Sequence, residues 1–262
     1  VSGGGLLMHG TGWRAKKSMG GSLILEQGVH TSDLILYFMG NADSIYASTG
    51  IMQSERIVGM RNAQLENFYG HRVEDQLGDQ SKVSIDAEDS AFSVINFENG
   101  AIGQMTMTNA SNGYSFGNET IHGTTGTLKL PGSRNGNSPI IYRDNNSPPD
   151  PITGENLLKL VPDWELDDIT SLYFDGNRRI ANYDYSFEEV DRKLIAIEMH
   201  DLAKSIINDS TPEVDEIAGI KALSLAYGAL ESGETGKIVK LKDIESGKVN
   251  EYQSEIDLEL GI

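Results

Sequence analysis

At 262 residues with a formal net charge of −18, the chain is long enough to bury a sizeable core and too acidic to favour nucleic-acid phosphates or an anionic membrane. It has no cysteine, which excludes disulfides, thiolate nucleophiles and Cys-ligated metals, and no apolar run near the roughly 20 residues that a bilayer-spanning helix needs. The hydrophobic and charged fractions are ordinary for a globular protein, and 29 glycines point to many turns, hence to sheet more than to helical bundle. With no signal-peptide pattern, a single domain over 1–262 in the cytoplasm is the default expectation.

In chain order, residues 1–19 read as a leading loop. Its Gly3–Gly5 run lacks the preceding strand that a phosphate-cradling loop requires. Trp13-Arg14 is either a packed indole beside a surface guanidinium or an arginine aimed at a polar ligand. The stretch Gly20–Gly40, GGSLILEQGVHTSDLILYFMG, predicts a helix from Glu26 that stops at Gly40. Leu34, Ile35, Phe38 and Met39 form its apolar stripe, while Glu26 and His30 share a face one turn apart and Asp33 follows. Ser44–Met52 reads as a strand, and residues 53–80 as an irregular polar excursion containing Arg56, Arg61, His71, Arg72, Glu74 and Asp75.

From Glu88 the period turns to two. EDSAFSVINF and AIGQMTMTNA alternate on either side of Asn99-Gly100, a strong hairpin signal. Ser115–His122 and Thr127–Leu130 form a second hairpin about the Gly123–Gly126 turn. Residues 131–154 carry five of the seven prolines and read as loop around a short strand, Ile140–Arg143. Leu157–Leu172 has no decisive period. Phe187, Val190, Leu194, Ile197, Leu202 and Ile206 predict a helix to Asn208-Asp209. A second helix spans Ile217 to about Glu231, followed by a strand at Lys237–Leu241 and an acidic tail, EYQSEIDLELGI, that periodicity does not place. The class is α+β: an open, predominantly antiparallel sheet with helices packed on one face, whose bare face invites self-association.

Five histidines, His9, His30, His71, His122 and His200, are candidates for chemistry, but none stands in HExxH or another ligand spacing, and no GxSxG nucleophile elbow occurs. Glu26 and His30 could hold a metal from one helix, yet no third ligand is apparent, so no metal is expected. The same pair suits general acid/base work: a neighbouring carboxylate raises the basicity of an imidazole and orients it. The competing account is a surface pair in which Glu26 merely favours the helix dipole.

Trp13-Arg14 followed by GGSLILEQGVHTSDL resembles the signature WR…GGG-x-Leu-x-Asp-x-Gly-x-His-x-x-Asp-Leu that begins the C-terminal domain of the Gfo/Idh/MocA oxidoreductases. Glu88–Gln104 is similar to that family's sheet hairpin, Ile121–Leu130 (IHGTTGTLKL) to its Ile-x-Gly-x-x-Gly-Thr-Leu hairpin, and Ala196–Val239 to its closing helix, Thr-Pro, helix and Thr-Gly-Lys-Ile-Val run. The resemblance implies an open antiparallel sheet, a homodimer or tetramer formed through its bare face, and hydride transfer between NAD or NADP and a hydroxyl or carbonyl carbon of a sugar or polyol. It implies proton transfer by Glu26 and His30, and substrate contacts from Trp13, Arg14, Lys16 and Asp33. Two departures stand out. Glu26 replaces the family's Asp, and neither a strand–GxGxxG–helix nor the family's Glu-Lys-Pro motif is present. The expectation is therefore the substrate-binding and oligomerisation domain of a longer enzyme, unable by itself to bind the dinucleotide or turn over substrate. The alternatives are a non-catalytic ligand-binding or assembly domain, or an intact fold whose chemistry has changed.

Overall fold

The computed structural model describes residues 6–7, 12–59, 82–111, 117–143 and 150–262. The expectations that rest on Gly3–Gly5, His9, Arg61, His71, Arg72, Glu74 and Asp75 lie outside the described residues. The chain divides into two compact units, residues 1–116 with 214–262, and residues 117–213. The first unit opens with β1 (Leu6–Leu7), two 3-10 turns (Gly12–Ala15 and Lys17–Met19), α1 (Leu23–Glu26) and α2 (Gly28–Met39). Strands β2 (Ala42–Gly50), β3 (Glu55–Val58), β4 (Lys82–Ser84), β5 (Ser90–Phe97) and β6 (Ile102–Thr108) follow. The second unit holds β7 (Thr120–Gly123), β8 (Gly126–Lys129), β9 (Ile140–Tyr142), β10 (Pro151–Ile152), α3 (Glu155–Leu160), α4 (Asp168–Tyr173) and α5 (Phe187–Asn208). The chain then returns to the first unit with α6 (Glu216–Thr235), β11 (Val239–Lys240), α7 (Leu241–Glu245) and α8 (Glu251–Leu260).

The main sheet has the order β11-β2-β5-β6 and is antiparallel throughout. Its β5–β6 corner is the Asn99-Gly100 turn. Gly100 takes φ +85°, which costs glycine nothing, and Asn99 closes the loop by accepting from Ala101 N at 3.0 Å and donating to Met39 O at 2.9 Å. Alternation then sorts the side chains. Ile45, Ala47, Ala91, Ile95, Phe97, Met105 and Met107 face inward, against Ile24 of α1 and Leu225, Ala229 and Leu230 of α6. Each large aliphatic buried there contributes about 1.5–3 kcal/mol. Helix α6 lies close on β2 because its contact residues are small: a Cβ on Gly233 would sit 2.0 Å from Thr49 Oγ1, and one on Gly228 would sit 2.8 Å from Ile45 Cγ2. The outer face carries exposed Tyr46, Phe92, Val94 and Ile102, with Tyr46 opposite Val94 across the β2–β5 ladder.

A small sheet, β1-β3-β4, packs its strands around Arg56, whose guanidinium is buried and paired with Asp89 at 2.6 Å. In the second unit the sheet order is β10-β9-β8-β7, with the Ile121–Leu128 and His122–Thr127 pairs of the predicted hairpin in register. Helix α5 begins at the Ser186 cap and ends at Asp209, which takes φ 51°, matching the predicted Phe187–Asn208 span.

Several boundaries differ from expectation. Helix formation starts at Leu23, not Glu26, because Ser22 caps Ile24 N at 3.1 Å, and the backbone loosens at Gln27 between α1 and α2. The polar excursion contains a true strand, β3. The last strand ends at Lys240 and turns directly into α7. The acidic tail is helix α8, whose Tyr252 and Ile256 are buried one turn apart.

Candidate functional site

The stretch that enters α1 is shaped by steric necessity. Gly20 ends the second 3-10 turn at φ +70°. A Cβ on Gly21 would lie 2.5 Å from the carbonyl oxygens of Trp13 and Lys16 and 2.8 Å from that of Arg14, so the chain can fold back over this loop only with glycine. Ser22 then adopts φ 154°, ψ 140°, a region that L-residues avoid. It stands where the family signature has its third glycine. What the side chain brings in exchange is bonding: Ser22 Oγ accepts from Ile24 N at 3.1 Å and donates to Glu88 O at 3.2 Å, and Leu23 N reaches the same carbonyl at 3.3 Å.

This fold-back sets Arg14 over the end of α1. Arg14 Nη2 donates to Glu26 Oε1 at 2.5 Å, and the two side chains remain 23% and 21% exposed. The guanidinium carbon stands 5.4 Å from the centroid of the Trp13 ring, and Arg14 Nε is buried without a hydrogen-bond partner among the described residues. Of the two accounts of Trp13-Arg14, these contacts bear on the packing one: the indole lies beside the guanidinium, which pairs with a carboxylate of the chain itself. His30 and Asp33 sit exposed on the first turns of α2, and neither makes a hydrogen bond among the described residues. Between them Ser32 is fully buried, with its Oγ unpartnered among the described residues.

The expected partnership of Glu26 with His30 is therefore replaced by one with Arg14. Lys16 points elsewhere: its Nζ lies 3.2 Å from Asp86 Oδ2 in an exposed pair. Among the described residues no three His, Asp or Glu side chains converge as a metal site. An arginine held by one carboxylate oxygen still offers N–H donors that match a hydroxyl or carboxylate, and an imidazole exposed on the next helix, as His30 is, suits proton transfer. Sequence reasoning missed Asp86, Glu88 and Tyr252, which brace this region from distant parts of the chain. The one hint in the sequence is the four-residue spacing of Tyr252 and Ile256 in the acidic tail.

Residues 3–129 match the family described as GFO/IDH/MocA C-terminal domain. No curated protein matches the chain. Among solved structures, an NAD binding oxidoreductase from Klebsiella pneumoniae is similar at a TM-score of 0.63 and 21% identity, over 92% of this chain and 57% of that one. Levoglucosan dehydrogenase in complex with NADH and L-sorbose is similar at 0.59 and 20% identity, over 87% of this chain and 53% of that one. An oxidoreductase domain protein from Kribbella flavida gives 0.59 and 16% identity, over 90% and 55%. The chain thus spans a little over half the length of the structures it matches, and at these identities the likeness is one of fold. Residues 3–129, a little under half of the chain, are thus similar to the Gfo/Idh/MocA C-terminal domain family.

Proposed function

We propose that this chain is the substrate-binding and oligomerisation part of an NAD(P)-dependent dehydrogenase acting on a hydroxyl or carbonyl carbon of a sugar or polyol. The observation that carries the reading is the part-buried Arg14–Glu26 pair at 2.5 Å at the end of α1, with exposed His30 and Asp33 on the first turns of α2. The levoglucosan dehydrogenase structures, in complex with NADH and either L-sorbose or levoglucosan, support a sugar-like substrate.

The sequence contains no GxGxxG, and none of the described strand-to-helix connections offers the glycine loop that seats a pyrophosphate on a helix N-terminus. The dinucleotide, NAD or NADP, does not fit the described residues. The roles of this chain are to bind and to move a proton. Arg14, oriented by Glu26 and backed by Trp13, donates hydrogen bonds to substrate oxygens; Asp33 accepts from a substrate hydroxyl. The ring nitrogen of His30 that faces the substrate takes the hydroxyl proton during oxidation or returns it during reduction. Lys16, drawn to Asp86, contributes positive charge at the rim. The exposed apolar residues of the outer sheet face, Tyr46, Phe92, Val94 and Ile102, are covered by a second copy of the chain in a cytoplasmic dimer or tetramer. A monomer by light scattering at high concentration would remove that part of the proposal.

The test is polyol-dependent NAD(P)H formation by the whole enzyme that contains this chain. His30→Ala is expected to lower kcat by about 100-fold or more, the usual worth of a general base. Unchanged turnover in that variant would show that His30 carries no proton.

A further inference from the structure

Helix α8 is fastened at its start by a carboxylate from another element. Glu231, 1% exposed within α6, accepts from Tyr252 N at 3.1 Å through each of its oxygens, and from Gln253 N at 3.4 Å. The first N–H groups of a helix have no partner inside it and carry the positive end of its dipole, so they satisfy a buried carboxylate well. Fastened this way, α8 sets Tyr252 in the core, with its hydroxyl donating to Glu88 Oε2 at 2.5 Å. Burial first, and then the charge of Glu88, pushes the phenol far above its ordinary pKa, so it remains a donor under all working conditions.

Glu88 has a second contact set. Its main-chain carbonyl receives Ser22 Oγ and Leu23 N, the two groups that begin α1. On the other side of the same bend, Lys17 lies with its Nζ 4.1 Å from the centroid of the Tyr252 ring and pairs with Glu255, one turn further along α8. The terminal helix therefore grips the chain both before and after Gly20–Ser22. That bend needs holding: a residue in the region Ser22 occupies is strained by about 1–3 kcal/mol and persists only where its surroundings over-determine it.

We propose that Tyr252 is a positioning residue for the Arg14–Glu26 site: by holding Glu88 it fixes the Ser22 bend, and with it the start of α1 and the carboxylate of Glu26. For its effect on turnover the inference rests on the dehydrogenase reading; the mechanical link does not.

Hydrogen exchange on the protein tests the link. Tyr252→Phe keeps the ring and deletes the donor, and should speed exchange of the amides of residues 23–27 roughly tenfold, the worth of one hydrogen bond, while amides of β5 keep their protection. Glu88→Gln retains an acceptor for Tyr252 and should exchange like the parent. Glu88→Ala should match Tyr252→Phe, and the double variant should add nothing further. Uniformly faster exchange throughout the unit, no change at 23–27, or Glu88→Gln behaving like Glu88→Ala would each overturn the link; the two Glu88 variants decide it even if Tyr252→Phe misfolds. In the whole enzyme, Tyr252→Phe should lower kcat about tenfold with the polyol KM altered less than about twofold. Faster exchange with unchanged kcat would overturn the positioning role. A parent enzyme without polyol turnover would overturn the dehydrogenase reading and leave the exchange data to decide the link.

Discussion

Two arginine–carboxylate pairs of almost equal length sit in the first unit, and they serve opposite ends. Arg56 and Asp89 meet at 2.6 Å with both side chains 3% exposed. The guanidinium also donates to Asn109 O at 2.6 Å, and Asp89 accepts from Met52 N, Gln53 N and Ser90 Oγ. Its charges are answered on every side, as burial demands. Arg14 and Glu26 meet at 2.5 Å, yet each side chain keeps about a fifth of its surface in solvent and Arg14 Nε has no partner among the described residues. A closed pair joins parts of the fold, here β3 to the start of β5. An open pair leaves guanidinium donors in reach of solvent, the feature on which the proposed substrate contact rests. Length alone does not separate the two roles; the completeness of the surroundings does.

The sharpest way to break this contrast is to remove one carboxylate from each pair. Asp89→Ala leaves a buried guanidinium uncompensated and orphans two backbone N–H groups, and should cost about 3–5 kcal/mol of stability in denaturant unfolding. A loss below about 1 kcal/mol would mean that water reaches Arg56 and the pair is not closed. Glu26→Gln removes a charge from a solvent-reached pair and should cost less than about 1 kcal/mol. In the whole enzyme it should nevertheless lower kcat/KM by roughly 10–100-fold, the price of a misplaced binding group. If stability fell as far as in Asp89→Ala, Glu26 would be a structural residue and the contrast would collapse.

The smallest expected effect concerns a third carboxylate, the buried Glu231, which is closed by backbone N–H groups and pairs with no cation among the described residues. Burial, the largest cause, raises its pKa above the ordinary 4.5, against the lowering effect of those hydrogen bonds. A raised folded pKa means that the native state holds the proton more tightly than the unfolded chain. This contribution is complete below pH 4.5 and is lost as pH climbs through the folded value. Glu231→Gln should therefore flatten the change in Tm between about pH 4 and pH 7, by a few degrees. A Tm profile parallel to that of the parent would show that the N–H groups fully offset the burial.

The parts of this molecule legible in its sequence are those decided within a few residues. The Asn99-Gly100 hairpin, the inward alternation of Ala91, Ile95 and Phe97, and the Phe187–Asn208 helix all follow from local period and turn chemistry, which act whatever the rest of the chain does. The motif order likewise singled out Glu26, His30 and Asp33, which the fold divides between α1 and α2. Which of them would meet was not legible. Glu26 pairs with Arg14 and not with His30 because the loop folds back across Gly21, where three carbonyl oxygens leave no room for a side chain. Lys16 turns to Asp86, 70 residues away in sequence. The polar excursion gained a strand because Arg56 found a buried partner in Asp89, and the unplaced tail became a helix because Glu231 caps it and Tyr252 fills the core.

By itself, then, the sequence determined the class of the fold, the hairpins, the long helices and the cluster of polar residues after Trp13-Arg14, since propensity, period and glycine placement act over short distances. Only the tertiary structure decided which carboxylate answers which arginine, because a charge selects its partner by desolvation and geometry, and both exist only once distant segments have packed.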